Sequence, residues 1–168
     1  MAHCIGFAGY SGSGKTTLIA KLVIEMKRRG KRVAVLKHDA HGHYKEASGT
    51  DSTIFVQSGA EAVVTISTDS IHVYEKKSEP DLQEQINAYA HMDYVFVEGF
   101  KREKHPKIAV FRTIEQSEII QALEHEPVAI ATDMETLDSR ISPLPMLDLN
   151  DIFALADFVE RYFKADPF

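Results

Sequence analysis

The sequence predicts an α/β fold, a mostly parallel sheet with helices on both faces. Three observations carry that prediction. Short apolar runs of strand length alternate along the chain with helical patterns, as in sheets whose strands are joined by crossover helices. The runs at His3–Ala8, Val33–Leu36 and Tyr94–Val97 are nearly continuous, as in strands buried on both faces. A glycine-rich turn joins the first of these runs directly to the first helical pattern.

Taken in order, His3–Ala8 is the first strand, ending at Gly9. Lys15–Arg29 reads as a helix, because Leu18, Ile19, Leu22, Val23 and Met26 fall on one stripe and Gly30 supplies a C-terminal stop. Val33–Leu36 is a second strand, and residues 39–50 form a polar loop. Asp51–Ser58 reads as a short helix. Glu61–Ile66 and Ile71–Glu75 read as two strands joined by Thr68-Asp69-Ser70. Pro80–Met92 predicts a helix with proline in its first turn and Leu82, Ile86 and Tyr89 facing inward. Tyr94–Val97, Ile108–Phe111 and Val128–Ala131 are further strands, and Ser139–Leu149 with its two prolines reads as an irregular connection. Asn150 is placed to cap a last helix, Asp151–Phe163, with Ile152, Leu155, Ala156, Val159 and Phe163 on one stripe.

The chain has 168 residues, 44% apolar and 26% charged, which is ordinary for a globular protein and excludes disorder or a collagen-like repeat. No repeat or long linker divides it, so residues 1–168 are expected to form a single domain, of the nucleotide-binding kind on the evidence of its glycine-rich turn. Cys4 is the only cysteine, which excludes an intramolecular disulfide and suits a reducing compartment. No run of 18 apolar residues is present and no secretory signal is evident, so a cytoplasmic protein with no membrane span is expected. The net charge of −6 is uneven: the first 50 residues hold nine Lys/Arg against three Asp/Glu, and the remainder ten against 22. A basic first third suits a bound polyphosphate, whereas the acidic remainder argues against nucleic acid.

Gly9-Tyr10-Ser11-Gly12-Ser13-Gly14-Lys15-Thr16 matches G-x-x-x-x-G-K-[ST] at every defined position. A strand precedes it and an amphipathic helix comes directly after, so the fold is expected to be of the P-loop nucleoside-triphosphatase type. Glycines at 9, 12 and 14 let the backbone aim its N–H groups inward at a phosphate, with the amides of Ser11 and Ser13 between them, and the helix N-terminus adds partial positive charge. Lys15 can reach the β- and γ-phosphates, the Thr16 hydroxyl can ligate Mg²⁺, and Thr17 can bond the α-phosphate.

Ligands in such sheets sit beyond the carboxyl ends of the strands, so the residues just past each strand are the informative ones. Glu98 closes the run Tyr94–Val97 in the manner of a Walker B acid and is expected at Mg²⁺, directly or through water, with Gly99 turning the chain away. Asp39, after Val33–Leu36, is either a second Mg²⁺ or water-positioning acid or a solvated turn residue. Asp51 and Ser52 are candidates near that loop. His38, His41 and His43 have no companion cysteine and match no standard zinc spacing, so they suit phosphate contact or solvent better than a metal. Lys101, Arg102, Lys104 and Lys107 make a charged loop that binds a second anionic ligand or a partner, or is simply solvated, and Arg112, at a strand end, is the stronger candidate. Asp133, after Val128–Ala131, can accept from guanine N1–H and the exocyclic amine, or else caps a helix starting at Met134.

Together, Gly9–Leu18, Leu36-Lys37-His38-Asp39, Val97-Glu98-Gly99-Phe100-Lys101 and Val110-Phe111-Arg112 resemble the MobB family, adaptors of molybdopterin-guanine dinucleotide biosynthesis. The likeness runs from residue 3 to about residue 160, and Glu-Gly-Phe-Lys is its most specific part, since a generic Walker B strand requires no Phe-Lys. Gly49-Thr50-Asp51-Ser52 and Ser58-Gly59-Ala60 also fit the family pattern. The resemblance implies a GTP- and Mg²⁺-binding protein with at most weak GTPase activity. It implies a homodimer formed through a β-rich region, and a MobA-like guanylyltransferase and molybdopterin-handling proteins as partners. The stretch His38–His43 diverges from the family. Two other readings compete. A nucleoside-type kinase would share the phosphate loop, but no arginine-bearing lid helix is recognisable. A metallochaperone GTPase would use the three histidines, but lacks a cysteine-containing metal motif.

Overall fold

In the computed structural model, residues 1–39, 49–134 and 143–165 are described. They fall into two compact units, Met1–His38 with Gln83–Phe168, and Asp39–Leu82.

The first unit is built on β1 (His3–Ala8) and helix α1 (Lys15–Arg28), followed by β2 (Val33–Lys37). The second unit contributes α2 (Asp51–Gln57), β3 (Ala62–Ile66) and β4 (Ile71–Glu75), and α3 (Leu82–Ala88) returns the chain to the first. There follow β5 (Tyr94–Glu98), β6 (Lys107–Val110), a 3₁₀ turn at Glu115–Glu118, α4 (Ile119–Ala122), β7 (Ala129–Thr132), β8 (Met146–Asp148) and α5 (Ile152–Ala165). Six strands pair in the order β2-β5-β1-β6-β7-β8, every pair parallel. The central strands are buried on both faces, which is why they read as continuous apolar runs.

Strand side chains alternate between two cores. Ile5, Phe7, Tyr94, Phe96, Ile108 and Val110 pack with α1 and α5, through Leu18, Leu22, Met26, Leu155 and Val159. On the opposite face Ala8, Ala109, Phe111 and Ile130 meet Ile119 and Leu123 of the α4 region. Helix α1 ends as expected at Gly30, whose φ of 75° allows Lys31 N–H to close back on Met26 O at 2.9 Å. The two helices of the larger core are also tied electrostatically. Arg29, the C-cap of α1, bonds Glu25 of α1 at 2.7 Å and Asp157 of α5 at 2.6 Å.

Three expectations need correcting. The connection expected over 139–149 contains an edge strand, β8, whose Leu147 pairs with Ala131; residues 139–142 lie outside the described residues. The helix expected over Pro80–Met92 is confined to Leu82–Ala88 and runs out in tight turns, leaving Tyr89 37% exposed rather than facing inward. The cap of α5 is Asp151, not Asn150, because Asp151 Oδ1 accepts from Ala154 N–H at 2.9 Å.

In the second unit β3 and β4 pair antiparallel, Val64 opposite Val73 and Ile66 opposite Ile71, and Ser67 N–H bonds Ser70 O at 2.8 Å across the turn. Thr50 caps α2 by accepting from Thr53 N–H.

Candidate functional site

β1 delivers the chain to the carboxyl edge of the sheet at Ala8, and Gly9–Gly14 then loops to the start of α1. Gly9 is required by space: a Cβ there would lie 2.4 Å from Val110 O and 2.5 Å from Ser13 Oγ. Gly12 and Gly14 are required by backbone shape, with φ of 74° and 92°. Gly14 is the N-cap of α1, has no side chain to cap with, and no acid stands in the first turn, so the helix N-terminus is left for an anion. Ser13 is fully buried, while Ser11, Thr16 and Thr17 are exposed on the open side of the loop.

Lys15 Nζ donates to Tyr10 O at 2.8 Å, so the ammonium spans the mouth of the loop. Its pKa is lowered, first by burial and then by the nearby Lys101 and Lys37, against the opposing pull of Glu98. Glu98 is the last residue of β5, in register with Phe7 of β1 on one side and Lys37 of β2 on the other. That register carries its carboxylate to α1, where Oε1 accepts from Thr16 Oγ1 at 3.1 Å. The chain then leaves the sheet through two left-handed residues, Gly99 (φ 91°) and Phe100 (φ 49°). A Cβ at Gly99 would come within 3.0 Å of His38 Cβ, and the Phe100 ring stacks on the His38 ring at 4.6 Å. His38 is thus a packing partner of this turn. His41 and His43 lie outside the described residues.

Arg112 and Asp133 meet. Val110 pairs with Ala131, and the two residues stand at equal offsets beyond that pair. The guanidinium grips Asp133 Oδ2 through Nε at 2.8 Å and Nη2 at 2.7 Å, and Arg112 Cδ lies 3.7 Å from the position of a Cβ at Gly14. The pair therefore sits between the phosphate loop and a cavity of about 420 Å³ that runs along β8 and past the end of β7. Thr132, Asp133, Met134, Met146, Asp148 and Asn150 line it. Sequence reading missed Met146, Asp148 and Asn150, because the strand that carries two of them was read as irregular; an acid followed by Asn just before a helix was the available signal. Asp39 stands two residues beyond β2 and opens the second unit, which also holds Asp51 and Ser52.

The donor set fits a Mg²⁺-bound polyphosphate. Positive-φ glycines clear the loop, with nothing within 4 Å of a Cβ at Gly12. Lysine ammonium groups face the loop, and a hydroxyl beside a carboxylate is the hard-oxygen chemistry that Mg²⁺ takes.

A model of the family described as MobB, molybdopterin guanine dinucleotide synthesis protein B, matches residues 4–133. The molybdopterin-guanine dinucleotide biosynthesis adapter protein of Haemophilus influenzae is 34% identical over 161 residues, covering 94% of this chain and 88% of that protein. The adapter protein of Escherichia coli is 32% identical over 173 residues, covering 98% and 95%. A crystal structure of molybdopterin-guanine biosynthesis protein B superimposes with a TM-score of 0.74 at 27% identity, covering 96% of this chain and 99% of that one. A phosphate loop closed by Glu98 on an all-parallel sheet, and matches that run through both, lead to one conclusion: the chain belongs to the MobB family.

Proposed function

We propose that the protein binds GTP with Mg²⁺ and serves as an adapter in the assembly of molybdopterin guanine dinucleotide, working beside a MobA-like guanylyltransferase and molybdopterin-handling proteins in the cytoplasm. The observation that carries this reading is the Thr16–Glu98 contact at the mouth of the glycine loop, in a chain whose relatives are named adapters of that pathway. Among the described residues no helix is long and apolar enough to cross a membrane.

In this reading the amides from Gly9 to Gly14 and the first turn of α1 hold the phosphates, with Ser11, Ser13 and Thr17 completing the cradle. Lys15 leaves the Tyr10 carbonyl for the β- and γ-phosphates. Thr16 and Glu98 hold Mg²⁺, with Asp39 as a further acid for it or for water. When bound, Mg²⁺ would supply charge neutralisation for the polyphosphate. The base enters the cavity along β8 and past the end of β7, between Met134 and Met146, where the free oxygen of Asp133 accepts from guanine. Arg112 fixes that carboxylate and faces the phosphates. No glutamine or arginine stands assigned to orient water, so hydrolysis is slow at most, and the role is that of a nucleotide-loaded partner rather than a fast enzyme.

The second unit suits self-association. Val64, Ile66, Ile71 and Val73 form two cross-strand pairs on one face of the hairpin and are between 54% and 75% exposed. A two-stranded ribbon with such a face is not stable alone and is covered in a homodimer.

The test is calorimetric titration with GTP and Mg²⁺. The wild-type protein is expected to bind, and Lys15→Ala to lose binding while keeping its melting curve. Binding by Lys15→Ala at wild-type strength would end this reading.

A further inference from the structure

Lys101 is unaccounted for by the cradle. It follows Glu98 by three residues, and its ammonium lies 4.5 Å from the centroid of the Tyr10 ring. Tyr10 belongs to the phosphate loop, and its carbonyl holds Lys15 at 2.8 Å. Two ammonium groups therefore rest on the same residue, one on its main chain and one on its ring.

This placement is costly in two ways. Phe100 takes a φ of 49°, a conformation that a bulky side chain avoids. The turn is held there by the Phe100–His38 stack and by the close approach of His38 to Gly99. A strained turn held by His38 has the effect of returning the chain over the loop just where Lys101 stands. The second cost is electrostatic: the ammonium groups of Lys15 and Lys101 are both held against one residue, Tyr10. A cationic cluster of this kind is relieved by a polyanion.

We infer that Lys101 is a ligand of the terminal phosphate, parked on the Tyr10 ring and transferred to the γ-phosphate oxygens when a nucleoside triphosphate fills the loop. A diphosphate leaves it on the ring. Cation–π contact at a partly exposed site is worth little compared with a charge-assisted bond to phosphate, so the transfer runs toward the anion. The site then distinguishes triphosphate from diphosphate by a residue of its own chain. The inference rests on the proposed nucleotide site.

The experiment measures dissociation constants for GTPγS and GDP at fixed Mg²⁺, with the full chain, for wild type, Lys101→Gln, Lys101→Met and Lys101→Arg. Lys101→Gln and Lys101→Met are expected to weaken GTPγS about tenfold or more and GDP less than about twofold, by loss of one charge-assisted bond. Lys101→Arg is expected to retain most of the preference. Methionine keeps an aliphatic stem on the ring, so a loss caused by packing alone would spare it. If GTPγS and GDP weaken together, or neither weakens, Lys101 is only a surface cation lying on a tyrosine and the inference is overturned. If the wild-type protein binds neither nucleotide, the nucleotide site itself is wrong and the inference falls with it.

Discussion

Replacing Gly9 and replacing Gly12 by alanine should damage the protein for different reasons, and the difference is measurable. At Gly9 the new methyl would stand 2.4 Å from Val110 O and 2.5 Å from Ser13 Oγ. Ordinary contact needs roughly another ångström, and neither neighbour can yield it cheaply. Val110 is fully buried in β6 and paired with Ala131, and Ser13 is fully buried inside the loop. Overpacking of this kind costs about 1–3 kcal/mol. Because the displaced atoms are the loop and the strand beneath it, phosphate affinity should fall with stability. At Gly12 the same methyl meets nothing within 4 Å, but φ is 74°. An L-residue there costs about 1–2 kcal/mol, and the loop amides keep their aim. Urea denaturation of both variants, with titration of GTP in the presence of Mg²⁺, separates the cases. Gly9→Ala should lose stability and at least about tenfold in affinity, the binding equivalent of about 1.4 kcal/mol. Gly12→Ala should lose stability with a smaller loss of affinity. A Gly9→Ala protein as stable and as competent as wild type would refute the steric account of the loop.

Two further outcomes are expected from the same geometry. Asp133→Asn should lower the GTP/ATP affinity ratio about tenfold, since the amide oxygen would turn to Arg112 and leave an NH₂ donor facing the donors of guanine; an unchanged ratio in competition titrations would remove Asp133 from the base site. Stability should fall on acidification in two stages. Burial, aided by Lys107, holds His105 at about 4, below its ordinary 6.5, so the unfolded chain binds the proton first and stability is lost as pH falls from about 6.5 through 4. Hydrogen bonds from Arg28 and Arg29 hold Glu25 at about 2, so its contribution is complete above about 4.5 and is lost as pH falls toward 2. Urea midpoints between pH 8 and 3 check both, and His105→Phe should flatten only the upper stage; a wild-type midpoint constant from pH 7 to 4 would contradict the first.

How much of the fold could be read depended on burial. β1, α1 and β5 were legible because both faces of the central strands, and one stripe of the helix, are apolar almost throughout. β8 was not, because an edge strand of three residues with exposed Met146 and Asp148 carries no continuous apolar run, and the prolines before it read as loop. α3 was read too long because Tyr89 continued the helical period, yet it sits at the surface where the backbone has already turned. The hairpin was legible as strands from its β-branched residues, but periodicity could not tell that Val64, Ile66, Ile71 and Val73 stay exposed within one chain.

The site divides along a different line, between what backbone geometry demands and what side-chain placement decides. The glycine loop must be written in glycine, because spacing and positive φ admit little else, so it could be read directly. Glu98 could be singled out as the acid closing a buried apolar run, and its contact with Thr16 came only from the structure. The Arg112–Asp133 pair depends on the alignment of β6 with β7, and only when Val110 is known to face Ala131 do two residues at equal offsets become partners. Lys101 is further from reach. Its position over Tyr10 depends on Phe100 adopting a conformation for which phenylalanine is a poor choice, held there by a histidine ring from another strand end. A rule of local preference predicts against that turn. That conflict between local preference and the observed backbone is why the turn, and the position of Lys101 with it, could not be read from the sequence.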